Sequence, residues 1–145
     1  MEIEVKKFSE LTLEQLYKIL KLRFDVFVSE QKSFYDEYDN KDYDAIHFFI
    51  EDKQMVVGYL RLYRKTSLSV SLGRIVVQKE YRKMGVGRKL VQEGINYAKS
   101  NLKVDKIDIS AQYYLKDFYE SFGFKSTSEP YDDGGVIHID MTLEV

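Results

Sequence analysis

A chain of 145 residues that is 44% hydrophobic has apolar surface for one core, so a single domain spanning 1–145 is expected. Its 22 Lys+Arg against 24 Asp+Glu give a net charge of −2, which excludes the broad basic field of a nucleic-acid binder. The lack of cysteine excludes disulfides, thiolate metal sites and a cysteine nucleophile, and two histidines set far apart, His47 and His138, argue against a zinc or iron site.

The first ten residues carry Glu2, Glu4, Lys6 and Lys7 and no apolar run of signal or membrane length, which reads as a cytoplasmic protein without a membrane partner. Ile3 and Val5 predict a short strand with one buried face. Thr12 with Gln15 forms a capping-box signature, and Leu13, Leu16, Tyr17, Leu20, Phe24 and Phe27 follow at helical spacing. That stripe is expected to be the face that covers the sheet. From Ser29 to Asp44 the periodicity stops, and the stretch fills with Asp36, Glu37, Asp39, Asp42 and Asp44 and with Phe34, Tyr35, Tyr38 and Tyr43.

Residues 46–51 and 56–64 predict a hairpin across the polar turn Asp52-Lys53-Gln54. A third strand over 70–77 ends in Ile75-Val76-Val77, an apolar run that suits burial on both faces. A helix is predicted over 85–100, with Val86, Leu90, Val91, Ile95 and Ala98 on one side. A strand over 106–110, a short helix over 115–122 closed by Gly123, and a last strand through Ile137, Ile139, Met141 and Leu143 complete the chain. The order β-α-β-β-β-α-β-α-β predicts an α/β (α+β) domain with helices packed on a mixed sheet.

The segment that carries chemistry is Val76 to Leu90. A buried strand runs through Gln78-Lys79-Glu80-Tyr81 into Arg82-Lys83-Met84-Gly85-Val86-Gly87 and then a helix. Free N–H groups and the positive end of the macrodipole favour an anion at such a helix start. Gly85 and Gly87 would let the backbone approach it closely, and Arg82, Lys83 and Arg88 add mobile positive charge. A diphosphate fits. No Gly-Lys-Ser/Thr closes the loop and the glycine spacing is not that of the dinucleotide fingerprint. The same residues would also serve an ordinary glycine-containing turn before a surface helix.

Arg82-Lys83-Met84-Gly85-Val86-Gly87 resembles the pyrophosphate loop of the GNAT superfamily of N-acetyltransferases, whose form is Arg/Gln-x-x-Gly-x-Gly/Ala. Phe118-Tyr119-Glu120-Ser121-Phe122-Gly123-Phe124 resembles a second element, a tyrosine followed by Gly-Phe at the end of a short helix. The run Leu22 to Gln31, Gly73-Arg74-Ile75-Val76-Val77 and Ile137-His138-Ile139 look like the ElaA-like branch. The resemblance implies a mixed, mostly antiparallel sheet with splayed central strands and helices on both faces. It implies acetyl-CoA as cofactor, with Ile75, Val76 and Val77 pairing with the pantetheine arm like an added strand. The backbone of Lys83, Met84, Gly85, Val86, Gly87 and Arg88 would hold the pyrophosphate, with Arg82 beside it. Gln112 stands where many relatives have an asparagine that touches the cofactor. Relatives are often dimers, so a homodimer stays open.

The reaction implied is transfer of the acetyl group to a primary amine of an unidentified small molecule or peptide, by direct attack in a ternary complex. A backbone N–H near Val76 or Val77 is the expected oxyanion donor. The resemblance places Tyr119 beside the sulfur, as an acid or an orienting donor. A phenol of pKa about 10 giving its proton to a thiolate of about 8.5 is uphill by roughly 2 kcal/mol.

Candidates for the base are Glu30, Glu37, His47 and His138. Glu30 follows the first helix and could face the cleft or simply be solvated, and His47 fits a structural role as well as a catalytic one. His138 projects opposite the Ile137, Ile139 and Met141 face and is expected to be exposed. Arg74 lies in register with Leu72 and Val76, so it should need a buried carboxylate first and a substrate contact second. Under the family arrangement the acidic segment would lie over the acceptor end, where Glu37 and Asp39 would suit a cationic amine; a solvated charge run is the competing reading. Two other functions stay open: an acyl-homoserine-lactone-type synthase, which the Leu22 to Val28 run loosely resembles, and a non-catalytic coenzyme A-binding sensor.

Overall fold

The computed structural model describes residues 1–32 and 36–145. Phe34 and Tyr35, counted above among the aromatics of the irregular segment, lie outside the described residues. Strand β1 (Glu4–Lys7) leads into helix α1 (Leu13–Arg23), which passes without a break into a π-helical stretch, Phe24–Glu30. Next come β2 (Ile46–Asp52), β3 (Met55–Thr66), β4 (Ser69–Val77), helix α2 (Val86–Asn101), β5 (Lys106–Gln112) and the short α3 (Lys116–Glu120). Two small strands that no periodicity announced, β6 (Lys125–Ser126) and β7 (Tyr131–Asp133), precede β8 (Val136–Glu144). The sheet order is β1-β2-β3-β4-β5-β8-β6, with β7 also on β8. Every pairing is antiparallel except β4 with β5.

Alternation along the strands divides the core in two. On one face α2 buries Val86, Leu90, Val91, Ile95 and Ala98 with Phe48, Leu60, Leu62 and Leu72. The approach is tight: a Cβ on Gly58 would lie 2.7 Å from Val86 Cγ1 and 3.0 Å from Leu90 Cδ1. On the other face Ile19, Leu22, Val26 and Phe27 pack with Phe49, Tyr59 and Val76. Helices therefore cover both faces, as the resemblance implies.

The capping box at Thr12 and Gln15 forms, each residue's side chain accepting from the other's N–H at 3.0 Å. The expected core stripe of that helix needs correction. Leu13 is 87% exposed, Tyr17 73% and Phe24 45%, whereas the buried face runs through Ile19, Leu22, Val26 and Phe27. The π-helical stretch has wider turns than an α-helix, so Phe27 no longer shares a face with Leu13.

Strands β4 and β5 pair only over Ser69–Ser71 with Lys106–Asp108. Beyond that point β4 stays with β3 and β5 with β8, and a gap opens between them. In β4 the register jumps from Arg61↔Gly73 to Tyr59↔Val76, and Arg74 adopts φ +51°. This is a bulge with one extra residue in β4, and it bends the strand at the point where the gap begins.

Candidate active site

A cleft of about 880 Å³ fills the gap, bounded by the ends of β4 and β5, the loop from Tyr81 to Arg88, α3, and the chain around Glu30–Gln31. At one end lies the start of α2. Lys83 at φ +66° and Gly85 at φ +76° turn the chain through left-handed conformations. A Cβ on Gly85 would meet nothing within 4 Å, so the position needs glycine for its backbone and leaves open space above it. The first backbone bond of the helix runs from Lys89 N–H to Gly85 O at 3.0 Å, leaving the N–H groups of the preceding residues as a concave set of donors.

The flanking charges are less mobile than expected. Arg88 donates to Ser121 Oγ at 2.8 Å and lies 4.6 Å over the Phe122 ring. Arg82 is held by Glu30, with Nη1 and Nη2 donating to the two carboxylate oxygens at 2.7 and 3.0 Å, and its Nε donates to Val77 O at 3.0 Å. That pairing, through the hydrogen bond first, holds the Glu30 carboxyl below the usual range. A carboxylate so committed is a poor acceptor for an amine proton, which weighs against Glu30 as a base.

Past the last β4–β5 pair, Ile75, Val76 and Val77 have β3 on one side and the cleft on the other. Tyr119 reaches the cleft from α3, its ring edge-on to Phe118 and Phe124 at 5.1 and 5.9 Å. Its hydroxyl makes no hydrogen bond with the described residues. Burial, helped by Tyr114, pushes the phenol well above its ordinary range, which favours an orienting donor over an acid that gives its proton away. Gln112 ends β5 and donates through Nε2 to Gln31 Oε1 at 2.8 Å.

His138 is adjacent to Gln112 and to Tyr131 in register. It does project away from the Ile139 and Met141 face, but it is only 5% exposed whereas Ile137 is 49% exposed. The reason is β7: the Tyr131 ring stacks on the imidazole at 6.2 Å between centroids. Tyr131 is fixed in turn by hydrogen bonds with Ser110 and Asp140 at 2.5 and 2.6 Å. His138 Nδ1 lies 2.8 Å from Val136 O. Since a carbonyl only accepts, Nδ1 is the donor in this contact. The other histidine is structural. His47 lies outside the cleft lining, its Nε2 donating to Asp42 O at 2.9 Å and its Nδ1 accepting from Tyr59 O–H at 2.6 Å, and burial lowers its pKa.

The acidic segment is matched by arginines. Arg23 binds Glu37 and Asp42 at 2.7 and 2.8 Å, Arg61 binds Asp39 and Asp42 at 2.5 and 2.9 Å, and Arg74 lies 3.5 Å from Glu37 and 3.6 Å from Asp39. The charge expected to draw in a cationic amine from Glu37 and Asp39 is thus neutralised within the protein. For Arg74 the expected carboxylate partners are present. Arg23 and Arg61 were not singled out from the sequence, although a guanidinium amid the apolar β3 residues Tyr59, Leu60 and Leu62 is a signal that buried carboxylates must exist.

The Acetyltransferase (GNAT) domain family matches residues 8–145, and the chain belongs to it. It is 36% identical to a UPF0039 protein of Schizosaccharomyces pombe over 100% of this chain and 98% of that one. It is 33% identical to ElaA of Escherichia coli over 94% and 92% of the two chains. The ElaA crystal structure matches with a TM-score of 0.90 at 32% identity, covering 97% of each chain. An acyl-CoA N-acyltransferase from Pseudomonas aeruginosa matches equally, with a TM-score of 0.90 at 32% identity over 98% and 99%. Among the described residues no helix is long and apolar enough to cross a membrane.

Proposed function

We propose that this GNAT acetyltransferase binds acetyl-CoA across the β4–β5 gap and transfers the acetyl group to a primary amine by direct attack in a ternary complex. The observation that carries this reading is the junction of an open strand edge with the start of helix α2. Among the described residues the gap-facing side of Ile75–Val77 has no strand partner, and it ends at the N–H groups that precede Lys89. A ligand with an amide-bearing arm and a diphosphate answers both. Bound there, acetyl-CoA supplies a thioester carbonyl as electrophile and a thiolate as leaving group.

The chain's own residues would do the rest. His138 Nε2 takes the proton that the amine must lose, with its tautomer set by Val136 and its ring held by Tyr131. A backbone N–H of β4 near Val76 donates to the developing oxyanion. As the C–N bond forms and the C–S bond breaks, the Tyr119 hydroxyl donates a hydrogen bond to the departing sulfur, whose proton is finally drawn from solvent.

The test is calorimetric titration of the protein with acetyl-CoA, followed by an acetylation assay over a panel of small amines and lysine peptides. Binding at micromolar level with turnover of at least one amine is expected. Failure to bind would overturn the reading, and binding with no turnover across the panel would favour a sensor.

A further inference from the structure

We propose that Glu30 is a positioning residue that sets the pyrophosphate loop through Arg82, and that Arg82 is a strut of that loop and not a ligand of the anion. The proposal rests on the acetyl-CoA reading above. The Arg82 guanidinium has all three nitrogens engaged: Nε on Val77 O at 3.0 Å, Nη1 on Glu30 Oε2 at 2.7 Å and Nη2 on Glu30 Oε1 at 3.0 Å. This forked arrangement fixes direction as well as distance. It ties the start of the loop to the last residue of β4, the strand along which the cofactor arm is proposed to run. A phosphate seated on Arg82 would have to share it with the Glu30 carboxylate, a group of the same sign.

The next residue extends the brace. Gln31 Oε1 accepts from Gln112 Nε2 at 2.8 Å, on the β5 side of the gap. Glu30 and Gln31 therefore join the two separated strands across the mouth of the cleft. The π-helical turn puts them there: Gln31 N–H bonds to Val26 O at 2.8 Å, five residues back. Such widened turns bring a side chain to a place that a regular helix would miss. The motif run that ends in Glu30-Gln31 thus acquires a role that a proton-transfer reading leaves unexplained.

Coenzyme A is titrated by calorimetry into the wild type, Glu30→Gln, Arg82→Gln, Arg82→Lys and the Glu30→Gln/Arg82→Gln double variant, and each melting temperature is recorded. Because Glu30 and Arg82 are partly exposed, the variants should fold. A strut predicts a Kd about fivefold weaker in each single variant, on the scale of one well-formed ion pair. The double variant should then be no weaker than either single one, and lysine should fail to replace arginine because it cannot hold two partners in a fork. Tighter binding by Glu30→Gln would overturn the proposal, since it would mean that the carboxylate competes with the ligand for Arg82. Additive losses, unchanged affinities, or full binding by Arg82→Lys would overturn it too. A wild type that does not bind coenzyme A defeats the cofactor reading and this proposal together, whereas the variant outcomes bear on this one alone.

Discussion

Arg23 and Glu37 stand 14 residues apart in the chain and 2.7 Å apart in space, and both are buried. The ion pair fastens the end of α1 to the irregular segment, and Asp42 on Nη1 ties in Arg61 as well. Arg23→Met would leave Glu37 and Asp42 short of counter-charge in a dry site. A loss of about 3–5 kcal/mol is expected, the usual cost of breaking a buried pair from one side. Lys21→Met removes a solvent-exposed partner of Asp25 and should leave the denaturant midpoint unchanged. Urea titrations of the two variants side by side check the contrast; a mild Arg23→Met would mean that the network is dispensable.

The same network sets an acid limit. Burial alone would raise the Asp39 carboxyl, but hydrogen bonds and charge from Arg61 outweigh it and hold the group at about 2. With the unfolded value near 3.9, the folded state binds the proton more weakly. The stabilisation is therefore present above about pH 4 and is lost as pH falls toward 2. Asp39→Asn should lower stability at pH 7, and its stability should then fall less steeply than the wild type's between pH 5 and 2. Parallel pH profiles would assign the acid sensitivity elsewhere.

The contrast between these residues and the rest of the chain shows what a sequence discloses. The strand β4, the loop to Gly87 and helix α2 were legible because local rules, alternation, paired glycines and a 3.6-residue period, govern them. The α1 face was misread because apolar residues lie on both sides of that helix, and spacing alone does not say whether Leu13 and Tyr17 or Ile19 and Leu22 face the sheet. Glu37, Asp39 and Asp42 were visible as charges, but their partners come from α1, β3 and β4, and only tertiary structure pairs them. The exposure of His138 failed for the same reason, since the covering ring of Tyr131 belongs to a strand of three residues with no periodicity of its own.

Gly87 separates stability from binding. A Cβ there would meet Val77 Cγ2 at 3.8 Å, an ordinary contact. Gly87→Ala should stabilise the protein by about 0.5–1 kcal/mol by restricting the unfolded chain, and acetyl-CoA binding should survive. Gly87→Glu should fold equally well and lose binding, since a carboxylate then occupies the anion's place. Calorimetry and melting curves on both variants decide it. Undiminished binding by Gly87→Glu would remove the loop from the cofactor site.

Tyr119→Phe addresses the chemical step. The hydroxyl bonds to none of the described residues, so the melting temperature should hardly move, while the ring packing on Phe118 and Phe124 persists. If the hydroxyl serves the departing sulfur, the benefit exists mainly in the transition state. Turnover should fall by about a hundredfold with the coenzyme A Kd unchanged. A variant with normal turnover would show that the thiolate leaves without help.

The seam at Ser69–Ser71 has a mechanical consequence. With only these residues of β4 bonded to Lys106–Asp108, the sheet is two leaves on a short hinge: one ends in β4 with its helices, the other carries β5, β8, β6 and β7. Hydrogen exchange of the apo protein should then report two cooperative units of unequal protection. A ligand lying in the gap acts as a removable strand, and saturating it should merge the two units into one.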